Sequence, residues 1–282
     1  HSSRSHCIRI EIHGERLDRA GAGEARPRSS PRSSMRQLKP LAFGLLLASA
    51  CVGPTPQRPW SAQFEGGATW FSRNDVAVPG DAGTRLSLDD TTGTGPIPAG
   101  RIYLGWRPTA RHEWRALVAP LSISGDDVLS EPVLFADETF AAGVSTGASY
   151  RFDSYRLTWR YLLHESKDWS WQVGLTGKIR DAEIELRQGG RRARKTDLGF
   201  VPLLHTAVEW RFADDWRMLL DVDAAWAPQG RATDATLQLR RAFGDHLDLG
   251  FGYRTIEGGA DNDEVFTFSW IHQAVVSVGV QF

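Results

Sequence analysis

Four residues capable of acid–base chemistry lie close together in the second half of this 282-residue chain: His205, Glu209, Asp221 and Asp223. Histidine and carboxylates are the side chains that most often transfer protons in enzymes. His205 and Glu209 are four positions apart, which in an extended strand separates them by roughly 13 Å at 3.3 Å per residue. That distance excludes a direct pair, and the sequence contains no Gly-x-Ser-x-Gly motif of a serine hydrolase. We therefore expect His205 to be a hydrogen-bonding residue rather than a base.

A second group is the acidic run formed by Asp261, Asp263 and Glu264. Oxygen ligands at this spacing could hold Ca²⁺, which makes these three residues weak metal candidates. The run lacks the spacing of an EF-hand loop, and a solvated acidic turn is the interpretation that we favour. The sequence also has no C-x-x-C pair and no Cys/His cluster, so we expect no bound metal and no cofactor.

The elements that carry these residues are expected to be β-strands, because apolar and polar side chains alternate from Ser61 onward. Successive side chains of a strand face opposite sides. In the segment 266–282, Phe, Trp, Ala and Val occupy one set of alternate positions, and His272 is the one polar residue among them. Ten such segments are predicted: 61–72, 99–107, 112–123, 145–163, 169–186, 199–213, 216–226, 232–243, 246–257 and 265–282.

The connections between these segments alternate in length. They are short at 108–111, 164–168, 214–215 and 244–245, long at 73–98 and 125–144, and moderate at 189–198. Short turns at one end and long loops at the other are typical of an outer-membrane barrel, as are aromatic residues beside the turns. A secreted β-sandwich or lipocalin-like barrel is the alternative, with its apolar face pointing inward. Aromatic residues flank three of the short turns: Trp106 and Trp114, Tyr161 and Trp169, Trp210 and Trp216.

The first fifty residues have the pattern of processing signals. Residues 1–34 show no apolar periodicity, and we interpret them as an upstream segment that is not part of the native protein. Residues 35–50 then form a signal-peptide pattern, with a basic start, an apolar stretch and a small-residue exit. Cleavage after Ala50 would leave Cys51 first, and lipidation of Cys51 is possible although Ala48 departs from the usual lipoprotein box. Residues 51–60 would be a periplasmic segment.

Beyond residue 50 the chain has no apolar run long enough for a membrane-spanning helix. A membrane protein without such a helix must be a closed barrel, because lipid cannot satisfy open backbone groups. The sequence therefore predicts an all-β fold, a single antiparallel up-and-down transmembrane β-barrel over residues 61–282. Ten strands are favoured, with eight or twelve as alternatives because 61–72 and 130–155 are weakly patterned. The formal net charge of −1 gives no reason to expect nucleic acid as a partner.

The signal-peptide pattern, the alternating segments and the final Val276 to Phe282 together resemble small bacterial outer-membrane β-barrel proteins. The resemblance covers the architecture of the mature chain and implies location in the bacterial outer membrane. It also implies recognition by the barrel-assembly machinery through the strand ending at Phe282. It reaches no family with an assigned activity.

If the apolar stripe faces lipid, the opposite stripe fills the lumen with charges of both signs. Buried charges must pair, because an unpaired one costs several kcal/mol. The apolar phase slips within 169–186, and a β-bulge near Arg180 and Asp181 would restore it and turn the following acids inward. The predicted lumen charge network consists of Arg156, Arg160, Lys178, Arg180, Asp181, Glu183, His205, Glu209, Asp221, Asp223, Arg240 and Arg254.

The basic segment after Gly189 and Gly190 lies at the expected external end. Arginine forks suit phosphate geometry, so this segment could contact lipopolysaccharide, and a mobile charged loop is the equal alternative. Its candidate contact residues are Arg191, Arg192, Arg194 and Lys195. The expected partners are therefore outer-membrane lipid and lipopolysaccharide.

A structural or surface-interaction role is the leading prediction for function. A narrow pore for small solutes is one alternative. An enzyme with an active site at the external rim is the other, and whether the chain has any activity is left open, leaning against. The acidic residues available for such a rim site are Asp223, Asp234, Glu257, Asp261, Asp263 and Glu264.

Overall fold

A computed structural model describes residues 58–228 and 230–282, which form a closed antiparallel β-barrel of ten strands. The expected upstream segment, signal peptide and Cys51 lie outside the described residues. Within these residues no helix is both long and apolar enough to cross a membrane. The elements are β1 Trp60–Ala77, β2 Leu86–Ser87, α1 Leu88–Thr92, β3 Ile97–Trp106, β4 His112–Ala119, β5 Ser122–Val128, β6 Val133–Phe135, β7 Glu138–Phe140, β8 Ser145–Glu165, β9 Trp169–Gln188, β10 Arg191–Arg211, β11 Trp216–Ala227, β12 Gly230–Phe243, β13 Leu247–Asn262 and β14 Val265–Gln281.

The barrel wall follows chain order from β1 to β14 and then closes on itself. β4 and β5 together make one wall strand, interrupted near Pro120 because proline has no backbone N–H to donate, and both pair with β8. β14 pairs with β1, and Trp60 and Phe282 exchange backbone hydrogen bonds of 3.0 and 2.9 Å between N and O. The prediction of ten strands is confirmed, and closure leaves the wall without a free edge.

An apolar belt surrounds the lower half of the outer wall, where lower denotes the end with the short turns 107–111, 166–168, 212–215 and 244–246. Large apolar side chains point outward there and are about half exposed, as at Phe64, Leu104 and Leu175. The aromatic residues beside the short turns stack in pairs across strands. Trp169 and Trp210, for example, have ring centroids 5.6 Å apart. This belt has the composition of a surface that contacts lipid.

Above the belt, the facing of apolar side chains is reversed. On β9, Leu175 and Ile179 face outward, whereas Ile184 and Leu186 face inward and are buried. β9 pairs with β8 and β10 without a register shift along this stretch, so the expected β-bulge near Arg180 is wrong. The alternation of inward and outward side chains along β9 is therefore unbroken. What changes above the belt is which of the two faces carries the apolar residues. β8, β9 and β10 have 20 or 21 residues each, about twice the length that crosses a membrane.

Asp181 and Glu183 therefore do not belong to the lumen network, which corrects the prediction for both. They lie on the outer face of β9, above the apolar belt, and Glu185 follows on the same face. Arg151 donates to Asp181 at 2.9 Å between Nη1 and Oδ2, and these hydrogen bonds lower the pKa of the Asp181 carboxyl. An outer face with charged side chains is typical of a wall that contacts water and not lipid.

A folded cap closes the upper end, and we define it as residues 78–96 and 129–144. It contains β2, α1 and the β6–β7 hairpin. The cap residues Leu88, Phe135 and Phe140 are fully buried, in one cluster with Phe71 and Leu186 of the wall. Each such side chain contributes roughly 1.5–3 kcal/mol through burial of apolar area. The two connections expected to be long thus form a cap with its own hydrophobic core.

The closed, folded state of the cap is expected to become more stable as the pH falls from 7 to 5. Burial raises the pKa of Asp89 in α1 to about 6, and repulsion by Asp75 and Asp90 adds to the effect. The closed cap then binds a proton that an unfolded chain would release, so its stability is highest below pH 4 and declines as the pH rises through 6. Hydrogen exchange of cap amides, corrected for intrinsic rates, should show this trend.

The Asp89→Asn variant should lose most of that pH dependence and protect the cap at pH 7 at least as well as the native residue. Asp81→Asn is the matched control, because Asp81 is exposed in the same cap segment. An unchanged pH trend in Asp89→Asn would contradict the assignment.

Candidate functional site

The middle of the lumen is filled by buried charged residues that reach across the barrel. Asp234 on β12 accepts hydrogen bonds from three arginines on three other strands. The nitrogen–oxygen distances are 2.7 Å to Arg101, 2.6 Å to Arg156 and 2.6 Å to Arg254. Arg101 and Arg156 come from the opposite wall, so these bonds cross the lumen instead of following neighbouring strands.

Asp223 is the second buried acceptor. Arg156 Nη1 lies 2.8 Å from Asp223 Oδ2, and both His205 Nδ1 and Thr176 Oγ1 lie 2.8 Å from Oδ1. His205 and Asp223 are direct partners in the register of β10 and β11, which explains their contact despite the 18 positions between them. Nδ1–H donation to a carboxylate fixes the tautomer and orientation of the imidazole. The expectation that His205 is a hydrogen-bonding residue agrees with this geometry.

Glu65 on β1 extends the network to the strand that closes the barrel. Arg254 Nη2 lies 2.6 Å from Glu65 Oε2, and Gln238 Nε2 donates to Oε1 at 2.8 Å. The Tyr103 hydroxyl donates to Oε2 at 3.2 Å. Gln63 Nε2 on the same strand also donates to Oε1 at 2.8 Å, so Glu65 receives four donors, three of them from other strands, and hydrogen bonds compensate its burial.

A lower layer follows, and beneath it the lumen opens. Asp221 pairs with Arg115 at 2.9 Å and with Arg160, and Glu113 pairs with Arg107 at 3.1 Å. Below these pairs lies a cavity of about 650 Å³ that reaches the lower end. Its charged lining includes Glu209, Arg211, Arg217, Arg240 and Asp248, which also pair with one another.

Most of the predicted lumen residues are found inside. Arg180 faces inward but pairs with Asp197 above the main network, and Asp181 and Glu183 are outside, as described. Residues that belong to the network without having been predicted are Glu65, Arg101, Tyr103, Glu113 and Arg115. The sequence pattern could have predicted that Arg101 and Tyr103 face the lumen, because they alternate with the apolar Ile102 and Leu104. Residues found inside as expected are Arg156, Arg160, Lys178, His205, Glu209, Asp221, Asp223, Arg240 and Arg254.

The acidic residues considered for a rim active site are not gathered in one place. Asp223 and Asp234 lie in the middle of the lumen, where arginines occupy their oxygens. Asp261, Asp263 and Glu264 are exposed at the upper turn between β13 and β14. The described residues contain no group of three or more His, Cys, Asp or Glu arranged to hold a metal ion. The weak metal candidates stay a prediction.

The basic segment is part of β10, so the expected loop at 189–198 is wrong. A tight turn at Gly189 and Gly190 precedes it, and the φ of +58° at Gly189 is one that glycine adopts without strain. The side chains of this basic segment point in different directions. Arg191 donates to the carbonyl of Thr139 in the cap, Lys195 points inward, and Arg192 and Arg194 point outward beside Glu185 and Glu183. Lipopolysaccharide contact stays a prediction, and only Arg192 and Arg194 are placed for it.

The buried carboxylates of the lumen are already paired with cationic side chains. Each of them accepts bonds from at least one arginine, and a general base needs a free lone pair directed at a substrate. The Nε2 atom of His205 is buried without a partner, but no hydroxyl or thiol is in hydrogen-bond contact with it among the described residues. The arrangement favours rigid cross-bracing of the wall over proton transfer.

Comparisons with known proteins give similarities to solved structures alone. No protein-family model matches the chain, and no curated protein sequence matches it. Among solved structures, the outer membrane protease OmpT from Escherichia coli is similar with a TM-score of 0.48 and 8% identity, covering 81% of this chain and 98% of that one. Ail of Yersinia pestis has a TM-score of 0.35 and 7% identity, over 79% and 99% of the chains. Neisserial surface protein A has a TM-score of 0.34 and 10% identity, covering 79% of this chain and 97% of that one.

Proposed function

We propose that this protein is an integral barrel of the bacterial outer membrane with a sealed lumen, and that its role is structural or surface-interacting. The observation that carries the proposal is the buried ion network, which joins opposite walls through Asp234, Asp223 and Glu65. The apolar belt with its aromatic edge supports the membrane location. Outer-membrane lipid is the partner of the belt.

The cap faces the outside of the cell in this proposal, and the short turns face the periplasm. Outer-membrane barrels have short turns on the periplasmic side and longer segments outside, and the cap and the tall wall of β8 to β10 are at the end opposite the short turns. The strand that ends at Phe282 lies at the lower, periplasmic end, where the barrel-assembly machinery would meet it. Phe282 is 58% exposed and is therefore available for such contact.

Two barriers block the lumen in series. The upper one is the hydrophobic cluster of the cap, and the lower one is the ion network. A solute would have to displace buried charge pairs, and breaking one such pair costs about 3–5 kcal/mol. The sealed lumen thus favours a structural role over the narrow pore that the sequence leaves as an alternative.

Planar-bilayer recording tests the seal directly. The folded barrel, verified by heat-modifiable migration on a denaturing gel, is expected to insert without conductance steps. A variant in which residues 129–144 are replaced by Asn-Gly should also stay closed, because Val128 and Ser145 are already paired partners and the ion network is untouched. Regular conductance steps from the native protein would refute the sealed lumen. Steps from the shortened variant alone would show that the cap is the only seal.

A further inference from the structure

A second, smaller cavity lies between the ion network and the cap, on the side of β9, β10, β13 and β14. Its volume is about 90 Å³. The walls are mainly apolar, with Tyr150, Ile184, Leu203, Ile256 and Ile271 among the lining residues. By the measure that one water needs roughly 10–15 Å³, this space holds about six to nine waters. A compact organic molecule of similar atom count would fit.

Lys178 lines this cavity and is the unusual residue in it. Its side chain is only 4% exposed, and its ammonium lies 4.6 Å from the centroid of the Phe152 ring. Among the residues that the structure describes, no carboxylate oxygen lies within 4.0 Å of its Nζ, and its Nζ donates no hydrogen bond. Keeping a buried amine charged without an anion costs several kcal/mol, and a carboxylate bound beside Lys178 would remove that cost by stabilising the ammonium form.

The protein's own carboxylates do not supply that charge, because every acidic residue lining the cavity is already paired with arginine. Asp234 alone binds three arginines. Lys195, the other lysine of the lining, has no carboxylate partner among the described residues either. The paired lining acids are Asp197 with Arg180, Asp223 with Arg156, Asp234 with Arg101, Arg156 and Arg254, and Glu257 with Arg231. Glu183, which adjoins the cavity from β9 but lies on the outer face of that strand, pairs with Arg194.

We propose that this cavity is a binding site for a small organic acid, whose carboxylate pairs with Lys178 and whose apolar body packs against the cavity walls. A carboxylate replaces the missing counter-charge, which a neutral alcohol or an amine cannot do. The apolar walls favour an aromatic or short aliphatic body over a sugar or an inorganic anion. This site does not depend on whether the lumen conducts ions.

The ligand would enter from the upper rim. The cavity lining continues from Lys178 up to Gly258, Ala260 and Val265, near the ends of β13 and β14. The strands there are shorter than β8 to β10, with 16 residues in β13 and 17 in β14 against 20 or 21. The ion network closes the floor, so a bound acid stays on the external side.

Benzoate is a suitable probe, measured by equilibrium dialysis against the folded barrel in lipid nanodiscs, with empty nanodiscs as the blank. One benzoate per chain is expected. Lys178→Met keeps the length of the side chain and removes its charge, and it should weaken benzoate at least about tenfold, the effect of losing one charged hydrogen bond. Benzyl alcohol, which lacks the carboxylate, should bind both proteins with less than a twofold difference.

Two further variants keep the test decisive. Lys167→Met is the matched control, because Lys167 is exposed in a lower turn, and its benzoate affinity should equal that of the native protein. Ala182→Leu places extra volume in the cavity, on the same face of β9 as Lys178, and should abolish binding of both probes. Equal benzoate affinity in native and Lys178→Met proteins would overturn the proposal, as would an absence of saturable binding above the blank.

Discussion

The Asp234→Asn variant is expected to lose about 3–5 kcal/mol of folding free energy, the usual effect of removing one partner from a buried ion pair. Asparagine has the same shape as aspartate but no charge, and its NH₂ group cannot accept a hydrogen bond. Arg101, Arg156 and Arg254 would then remain close to one another without their shared anion. Arg101 is affected most, since Asp234 is its carboxylate partner in the described structure.

Urea unfolding of the refolded barrel in detergent micelles, read by heat-modifiable migration, measures this loss. Asp245→Asn is the control, because Asp245 is exposed in a lower turn and lies 3.8 Å from Arg58. Exposed pairs of this kind contribute about 0–1 kcal/mol. A loss of less than about 1 kcal/mol in Asp234→Asn would show that the network does not brace the wall.

A second substitution separates charge imbalance from lost packing. Arg101→Met in the Asp234→Asn background removes one of the stranded cations and keeps most of the side-chain volume. If uncompensated charge is the cause, the double variant should be more stable than Asp234→Asn alone. If it is less stable, the cost comes from lost packing, and the electrostatic explanation fails.

The strand number and the belt could be predicted from the sequence because both follow from side-chain alternation. The parity of Phe64, Leu104 and Leu175 fixes which face meets lipid, and it needs no knowledge of the partner strand. The same rule placed most lumen residues correctly, since lumen and lipid faces simply alternate. Register across the barrel is different: the Arg156–Asp234 bond joins strands that are not neighbours, and alternation along one strand carries no information on it.

The errors have two physical causes. Alternation reports that two faces differ, but which face is apolar depends on the medium outside the wall. At Ile184 and Leu186 the apolar residues are on the inner face, as a wall in water above the proposed membrane requires, and in the sequence this change resembled a phase slip that a bulge would repair. The cap was missed because it has no periodicity: Leu88, Phe135 and Phe140 are brought together by tertiary contacts between two separate loops.

Leu186→Ala is therefore expected to be far more damaging than Leu175→Ala, although both remove a leucine side chain from β9. Leu186 is fully buried with Phe135 and Phe140, and its truncation leaves a cavity that costs about 2–5 kcal/mol. Leu175 is 57% exposed on the belt, where lipid or detergent fills the vacated space. We expect a cost below about 1 kcal/mol there, since truncation at that position leaves no cavity in the protein.

Leu186→Ala should also loosen the cap selectively. Hydrogen exchange should accelerate in residues 129–144, which pack on Leu186, while amides of the lower strands stay protected as long as the ion network holds. Leu175→Ala should leave cap exchange unchanged. A barrel with lipid along its full height predicts small and similar losses for the two variants, because Leu186 would then lie on a polar lumen face with Lys178 and not in a hydrophobic core. Equal losses in the two variants, or faster exchange of the cap in Leu175→Ala, would contradict the reversal of facing above the belt.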